Sequence, residues 1–159
     1  MSETPEQKAA DLAAGFEGFL PHATLDTLAK PPVWNIGYGS TTVNGDGVTP
    51  VTADTPDIDE PTGRAWMANE MRAAADEIAK TVSVPLSDDD KAALDDFIYN
   101  LGAGTWERSS VLTHINRGDF DSAIKVLLQY DHAGGVVYAG LLRRRRAEAA
   151  LLNAPDAQP

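Results

Sequence analysis

The sequence predicts a mostly helical α+β protein built around one small antiparallel sheet. Two observations carry that expectation. Most of the chain repeats apolar residues at three- and four-residue steps, the spacing of a helix with one buried face. One segment, residues 25–49, breaks the pattern with Pro31, Pro32, Gly37, Gly39, Gly45 and Gly47 set among Val33, Trp34, Ile36, Tyr38 and Val43. At 159 residues with 43% apolar composition, the chain suits one domain with two lobes rather than a disordered chain.

The elements follow in order. A first helix is expected over residues 4–19, with Ser2 or Thr4 as cap, Pro5 in the first turn, and Ala9, Leu12, Ala13, Phe16 and Leu20 on one face. Pro21 stops that periodicity. Residues 25–49 then read as a short antiparallel sheet, with turns at Lys30-Pro31-Pro32 and Asn44-Gly45-Asp46-Gly47. A long helix over residues 61–82 carries Ala65, Trp66, Met71, Ala74, Ile78 and Val82 as its core stripe. Ser87 opens the next helix, with Asp88, Asp89 and Asp90 where negative charge suits the helix dipole. That helix holds Leu94, Phe97, Ile98 and Leu101 and ends near Gly102 or Gly104. Further helices fit residues 109–117, 119–128 and 141–152, and residues 153–159 read as a frayed tail.

Composition excludes several kinds of chemistry. There is no cysteine, so disulfides, thiolate metal sites and cysteine nucleophiles are out. Three separated histidines offer no metal-ligand spacing, and no triad, phosphate loop or dinucleotide fingerprint is present, so neither metal nor cofactor is expected. The net charge of −11 disfavours nucleic acid and anionic membrane surfaces as partners. Arg143-Arg144-Arg145-Arg146 does not change this, because four consecutive helical residues point around the whole circumference. Asn44-Gly45-Asp46-Gly47 and the acids of residues 54–60 lack calcium-loop spacing and read as solvated turns. No exposed apolar heptad is evident, which predicts a monomer.

Two acids draw attention. Glu17 lies between Phe16 and Phe19, where lost hydration favours the neutral carboxyl a general acid needs. Asp26 follows nine residues later, at the start of the sheet. One apolar and one wet carboxyl facing each other across a cleft suit acid–base hydrolysis of a glycosidic bond, although two such acids among 24 also arise by chance. In Trp34-Asn35-Ile36-Gly37-Tyr38-Gly39-Ser40-Thr41, the paired glycines suggest close backbone approach, either by a ligand or by another segment around a packed Tyr38. Asn35 could orient a water molecule.

These residues resemble a known family. Phe16-Glu17-Gly18-Phe19, then Asp26, then the Trp34–Thr41 strand is similar to the opening of phage-type lysozymes, glycoside hydrolase family 24. Phe97-Ile98-Tyr99-Asn100-Leu101-Gly102-Ala103-Gly104, Ser109-Ser110-Val111-Leu112, Asn116-Arg117-Gly118-Asp119 and Gly140-Leu141-Leu142-Arg143-Arg144-Arg145 follow in the family's order, so the resemblance covers residues 8–152. It implies a lysozyme-like two-lobe fold in a single catalytic domain. Residues 1–60 would form the first helix and β lobe, residues 61–82 the connecting helix, and residues 83–152 the helical lobe.

The implied activity is that of an endolysin, a muramidase cutting the β-1,4 bond between N-acetylmuramic acid and N-acetylglucosamine in peptidoglycan. By the same resemblance Glu17 is the general acid and Asp26 the second carboxylate, which positions or activates water. Inversion is implied, with the carboxyl groups about 6.5–9.5 Å apart. Thr41, Tyr99, Asn100 and Ser110 match cleft positions, and Arg143 matches the partner of the acid, with Arg144 or Arg146 as alternatives if the register slips. The family's third active-site residue, usually threonine, is Asn35 here, and its tyrosine two residues before the aspartate is Thr24. A lytic transglycosylase using Glu17 alone, or a weakened lysozyme-like binding or phage structural protein, are the competing readings. Residues 1–8 are polar and no apolar run follows them, so no secretory signal or membrane span is expected. Synthesis in the host cytoplasm and release by a separate holin, as is common in the family, are the matching expectations.

Overall fold

The computed structural model describes residues 2–133 and 135–152. The described residues have seven α-helices, α1 (Pro5–Ala14), α2 (Glu60–Thr81), α3 (Asp88–Leu101), α4 (Ala103–Arg108), α5 (Ser110–Asn116), α6 (Phe120–Leu127) and α7 (Ala139–Leu151), and one turn of 3-10 helix at Val43–Gly45. Strands β1 (Leu20–Asp26) and β2 (Val33–Gly37) form an antiparallel hairpin, and β3 (His132–Ala133) pairs antiparallel with β4 (Val136–Val137). The predicted frayed tail lies outside the described residues. Among the described residues, no helix is long and apolar enough to cross a membrane.

Five of the seven α-helices start where a side chain satisfies free backbone amides. Thr4 and Gln7 form a reciprocal capping box on α1, and Ser87 and Asp90 do the same on α3. Asp59, Ser109 and Asp119 cap α2, α5 and α6. The larger core joins Ala74 and Ile78 of α2 to Leu94, Phe97 and Ile98 of α3, with Trp106, Val111, Ile115 and Leu127 from the following helices. A second cluster seats Ala9, Ala10 and Ala13 of α1 against Met67 and Met71 of α2 and Ala92 of α3. Small residues on α1 let three helices approach closely there. The strand residue Ile36 closes a third cluster with Val51 and Trp66.

Four expectations change. The first helix ends at Ala14 rather than at residue 19. Beyond it the chain tightens: Gly15 N donates to Leu12 O and Phe16 N to Ala13 O, each three residues back. Glu17 therefore leaves the helix in a turn. The hairpin begins at Leu20, with Pro21 inside β1, earlier than the glycine-rich segment suggests. In α2, Ala65 is exposed and Met67 is fully buried in its place, a shift of the stripe by less than one turn. Helix α4 and the β3–β4 pair are too short to leave a periodic signal.

The first of the paired glycines is closely approached by another segment. Gly37 adopts a φ of 66°, and a Cβ there would lie 3.1 Å from Ile58 Cδ1 and 3.4 Å from Gly63 Cα. The close approach is made by Ile58 and by Gly63 in the first turn of α2. Tyr38, 5% exposed, packs on Phe19 with ring centroids 5.2 Å apart. The end of β2 is thereby clamped to α2, which fixes the hairpin relative to the helices.

Candidate active site

Glu17 stands where three elements meet. The turn after α1 is held by Glu17 N donating to Ala13 O at 3.0 Å. From there its carboxylate accepts a hydrogen bond from Arg144 Nη1 of α7, Nη1 to Oε1 2.8 Å. Arg144 is itself anchored: Nε and Nη2 reach the two carboxylate oxygens of Asp96 on α3 at 2.9 and 2.6 Å. This fork-to-fork geometry is the one a guanidinium and a carboxylate favour. The Asp96 side chain is fully buried and that of Arg144 nearly so, whereas Glu17 remains about a third exposed. Burial opposes the charge on Arg144, but the Asp96 and Glu17 carboxylates outweigh it and hold the guanidinium more firmly protonated than usual. The guanidinium also lies 5.8 Å from the Phe16 ring centroid.

This corrects the expectation for Arg143. The residue paired with Glu17 is Arg144, while Arg143 is exposed at the rim. Helical geometry explains the shift, since neighbouring residues diverge by about 100° and only one can point at a given partner. Arg144 and Arg145 point inward, whereas Arg143 and Arg146 are exposed.

Arg145 carries the same interior further. It is fully buried, with its guanidinium 5.1 Å from the Phe97 ring centroid. Its Nη2 donates to Asn100 Oδ1 at 2.6 Å and lies 2.9 Å from Glu148 Oε1. The Glu148 approach is off the hydrogen-bonding direction, so this contact is one of proximity rather than a directed bond. Burial, then the neighbouring Asp96 carboxyl, pushes Glu148 well above the usual carboxylate range.

Two hollows open beside these residues. One of about 500 Å³ is lined by Phe16, Glu17, Asn100, Tyr138, Leu141 and Arg143, with Arg144 behind them. The other, about 860 Å³, is lined by Thr41, Asn44, Asn69, Glu70 and Tyr99, among others. Tyr99 and Asn100 are consecutive on α3 and contribute one to each. Tyr99 donates its hydroxyl to Glu70 Oε2 at 3.0 Å. Burial and the Glu70 carboxylate raise the Tyr99 phenol above its ordinary value, so it stays a donor. Burial also raises Glu70, opposed in part by the hydrogen bond from Tyr99. A third cavity, about 630 Å³ and lined by Ile78, Val82, Val84, Leu86 and Asp95, contains none of the predicted site residues.

The hairpin presents the second acid. Thr24 pairs with Asn35 and Asp26 with Val33 across β1 and β2. Trp34 and Ile36 pack in the third core cluster, so strand alternation turns Asn35 to the opposite face together with Thr24 and Asp26. Asp26 Oδ1 accepts from Leu28 N at 2.9 Å and Ala29 N at 3.3 Å, which caps the loop leaving β1. The structure thus brings Glu17 and Asn100 to one hollow, Thr41 and Tyr99 to the other, and Asp26 and Asn35 to one hairpin face. Ser110 opens α5, exposed, and lines neither hollow.

Sequence reasoning missed Asp96, Arg145, Glu148 and Glu70. A signal existed for the first: Asp95-Asp96 interrupts the apolar residues Ala92, Ala93, Leu94, Phe97 and Ile98, where burying an acid is costly. Arg145 and Glu148 are three apart, one helical face. Nothing in the sequence marks Glu70.

Known proteins bear on this arrangement. The phage lysozyme family model matches residues 14–148, from the turn holding Glu17 to the helix holding Arg144. An endolysin of Bacillus phage PZA is 30% identical over 147 residues, covering 92% of this chain and 54% of the relative. An endolysin of Bacillus phage B103 is 29% identical over 145 residues, covering 91% and 52%. The chain therefore spans about half the length of these curated relatives. A crystal structure of a P22 lysozyme mutant superposes with a TM-score of 0.77 at 24% identity, covering 92% of this chain and 95% of that one, which establishes the lysozyme-like fold. With the family model matched across most of its length, the chain belongs to the phage lysozyme family.

Proposed function

We propose that this chain is the muramidase of an endolysin, hydrolysing the β-1,4 bond between N-acetylmuramic acid and N-acetylglucosamine in bacterial peptidoglycan. The observation that carries the reading is the Glu17 carboxyl, fixed at the wall of a hollow by a guanidinium anchored on a buried aspartate. A general acid must be held in one place and still reach solvent-side substrate, and Glu17 satisfies both conditions. Membership of the phage lysozyme family and the names of the endolysin relatives support the substrate class.

In the proposed mechanism Glu17 protonates the leaving glycosidic oxygen. Asp26 supplies the second carboxylate and Asn35, on the same hairpin face, orients the attacking water with its amide. The products would carry inverted anomeric configuration. Thr41 and Tyr99 would line the path of the glycan strand. Ser110 would serve only a more distant part of it. We read residues 1–60, 61–82 and 83–152 as the parts of one catalytic domain. The reading includes a monomer made in the host cytoplasm that reaches the wall after a holin opens the membrane.

Mass spectrometry of purified peptidoglycan digested by the protein tests this directly. Fragments ending in reducing N-acetylmuramic acid are expected. Fragments ending in an anhydro sugar would replace hydrolysis with transglycosylation, and no fragments from the folded protein would overturn the enzymatic reading.

A further inference from the structure

Asn100 carries an amide whose two ends have opposite hydrogen-bonding character, and the structure fixes which end Arg145 takes. Arginine has donors and no acceptor, so the Asn100 atom 2.6 Å from Arg145 Nη2 must be the carbonyl oxygen. Arg145 cannot swing away to release it. The guanidinium is fully buried, stacked over Phe97 and held beside Glu148 one turn along α7. Among the described residues none accepts from Asn100 Nδ2, and Asn100 lines the hollow that holds Glu17.

We propose that Arg145, steadied by Glu148, fixes Asn100 as a donor toward the cleft, so that Asn100 selects an oxygen acceptor on the N-acetylated sugar seated beside Glu17. Arg145 and Glu148 are positioning residues and touch no substrate. Arg144 and Arg145 then divide the work between neighbours: Arg144 sets Glu17, and Arg145 sets the amide that reads the sugar beside it. The inference rests on the muramidase reading above.

Asn100→Asp tests it with nearly unchanged shape. A carboxylate meets Arg145 at least as well as an amide oxygen does, but it has no N–H to offer the sugar. Thermal unfolding and steady-state release of reducing ends from peptidoglycan are measured together for the wild type, Asn100→Asp and Asn100→Ala. The expected pattern for Asn100→Asp is an unchanged or higher Tm, a KM raised about tenfold and kcat within about twofold, the loss of one substrate hydrogen bond. Asn100→Ala raises KM as well and also lowers Tm, because Arg145 loses its acceptor. A wild-type KM in Asn100→Asp, with the wild type active, overturns this inference alone. A clear drop of Tm in Asn100→Asp overturns the assigned amide direction. A folded wild type that releases no reducing ends overturns the muramidase reading and this inference with it.

Discussion

Glu17 and Asp26 stand nine residues apart, yet the chain fixes them by opposite means. Glu17 is held by a guanidinium 127 residues away, itself clamped by an aspartate on a third element. Asp26 is held by the amides two and three residues ahead of it. The first acid needs the whole fold before it is in place. The second needs only its own loop. The difference teaches where damage spreads: a change behind Glu17 reaches the core between α3 and α7, and a change at Asp26 stays on the hairpin.

The sharpest way to break the contrast is Arg144→Met. It leaves Asp96 buried without its cation and frees Glu17. Removing one partner of a buried ion pair costs about 3–5 kcal/mol, so denaturant unfolding is expected to show a loss of that size. A loss below about 1 kcal/mol would mean that the pair is not needed for folding.

The next effect is pH-dependent and lies one residue before Asp96 on α3. Asp95 is fully buried, with neither carboxylate oxygen hydrogen-bonded among the described residues, and burial pushes it up to about 8. Glu6, facing it from α1, and Asp96 on α3 add to the shift, while Lys91 opposes it. Because the folded state holds this proton more tightly than the unfolded chain, its contribution to stability is complete below about pH 4 and is lost as pH rises toward 8. The slope is at most about 1.4 kcal/mol per pH unit. Asp95→Asn has no proton to lose, so its stability advantage over the wild type is expected to grow across that window. Thermal midpoints of both proteins from pH 4 to 9 check this, and a pH-independent difference would contradict it.

Asp26→Asn gives the smallest structural effect. An asparagine oxygen can accept the same two amides, so stability is expected to change by less than about 0.5 kcal/mol. Activity on peptidoglycan is expected to fall at least about 100-fold, since the second carboxylate is gone. A variant that keeps both stability and activity would leave Asp26 a loop cap and nothing more.

The same contrast explains what the sequence reveals. The helices are legible because burial of one face imposes a period, and the caps at Thr4 and Ser87 announce their starts. Glu17 and Asp26 are legible only through the order of short motifs around them. Their surroundings are less so. The aromatic neighbours of Glu17 suggest an apolar pocket, but the partner that reaches its carboxylate is Arg144, which arrives from the far end of the chain. Placing Arg144 rather than Arg143 requires the rotation of α7 against α3, and four consecutive arginines conceal that rotation. Ala65 and Met67 show the same weakness: the pattern reveals a buried stripe, but not its centre to within one residue. Glu70 acquires its partner only through the packing of α2 on α3, which brings it to Tyr99.

In the proposed reading Glu17, positioned by Arg144, is the acid of a peptidoglycan hydrolase. Reducing-end release from purified peptidoglycan by the wild type and by Glu17→Gln, with thermal unfolding confirming that both are folded, tests it most directly. Release by the wild type and a loss of at least about 100-fold in the variant, at a similar Tm, are expected. Release by a folded Glu17→Gln at the wild-type rate, or none from the folded wild type, would contradict it.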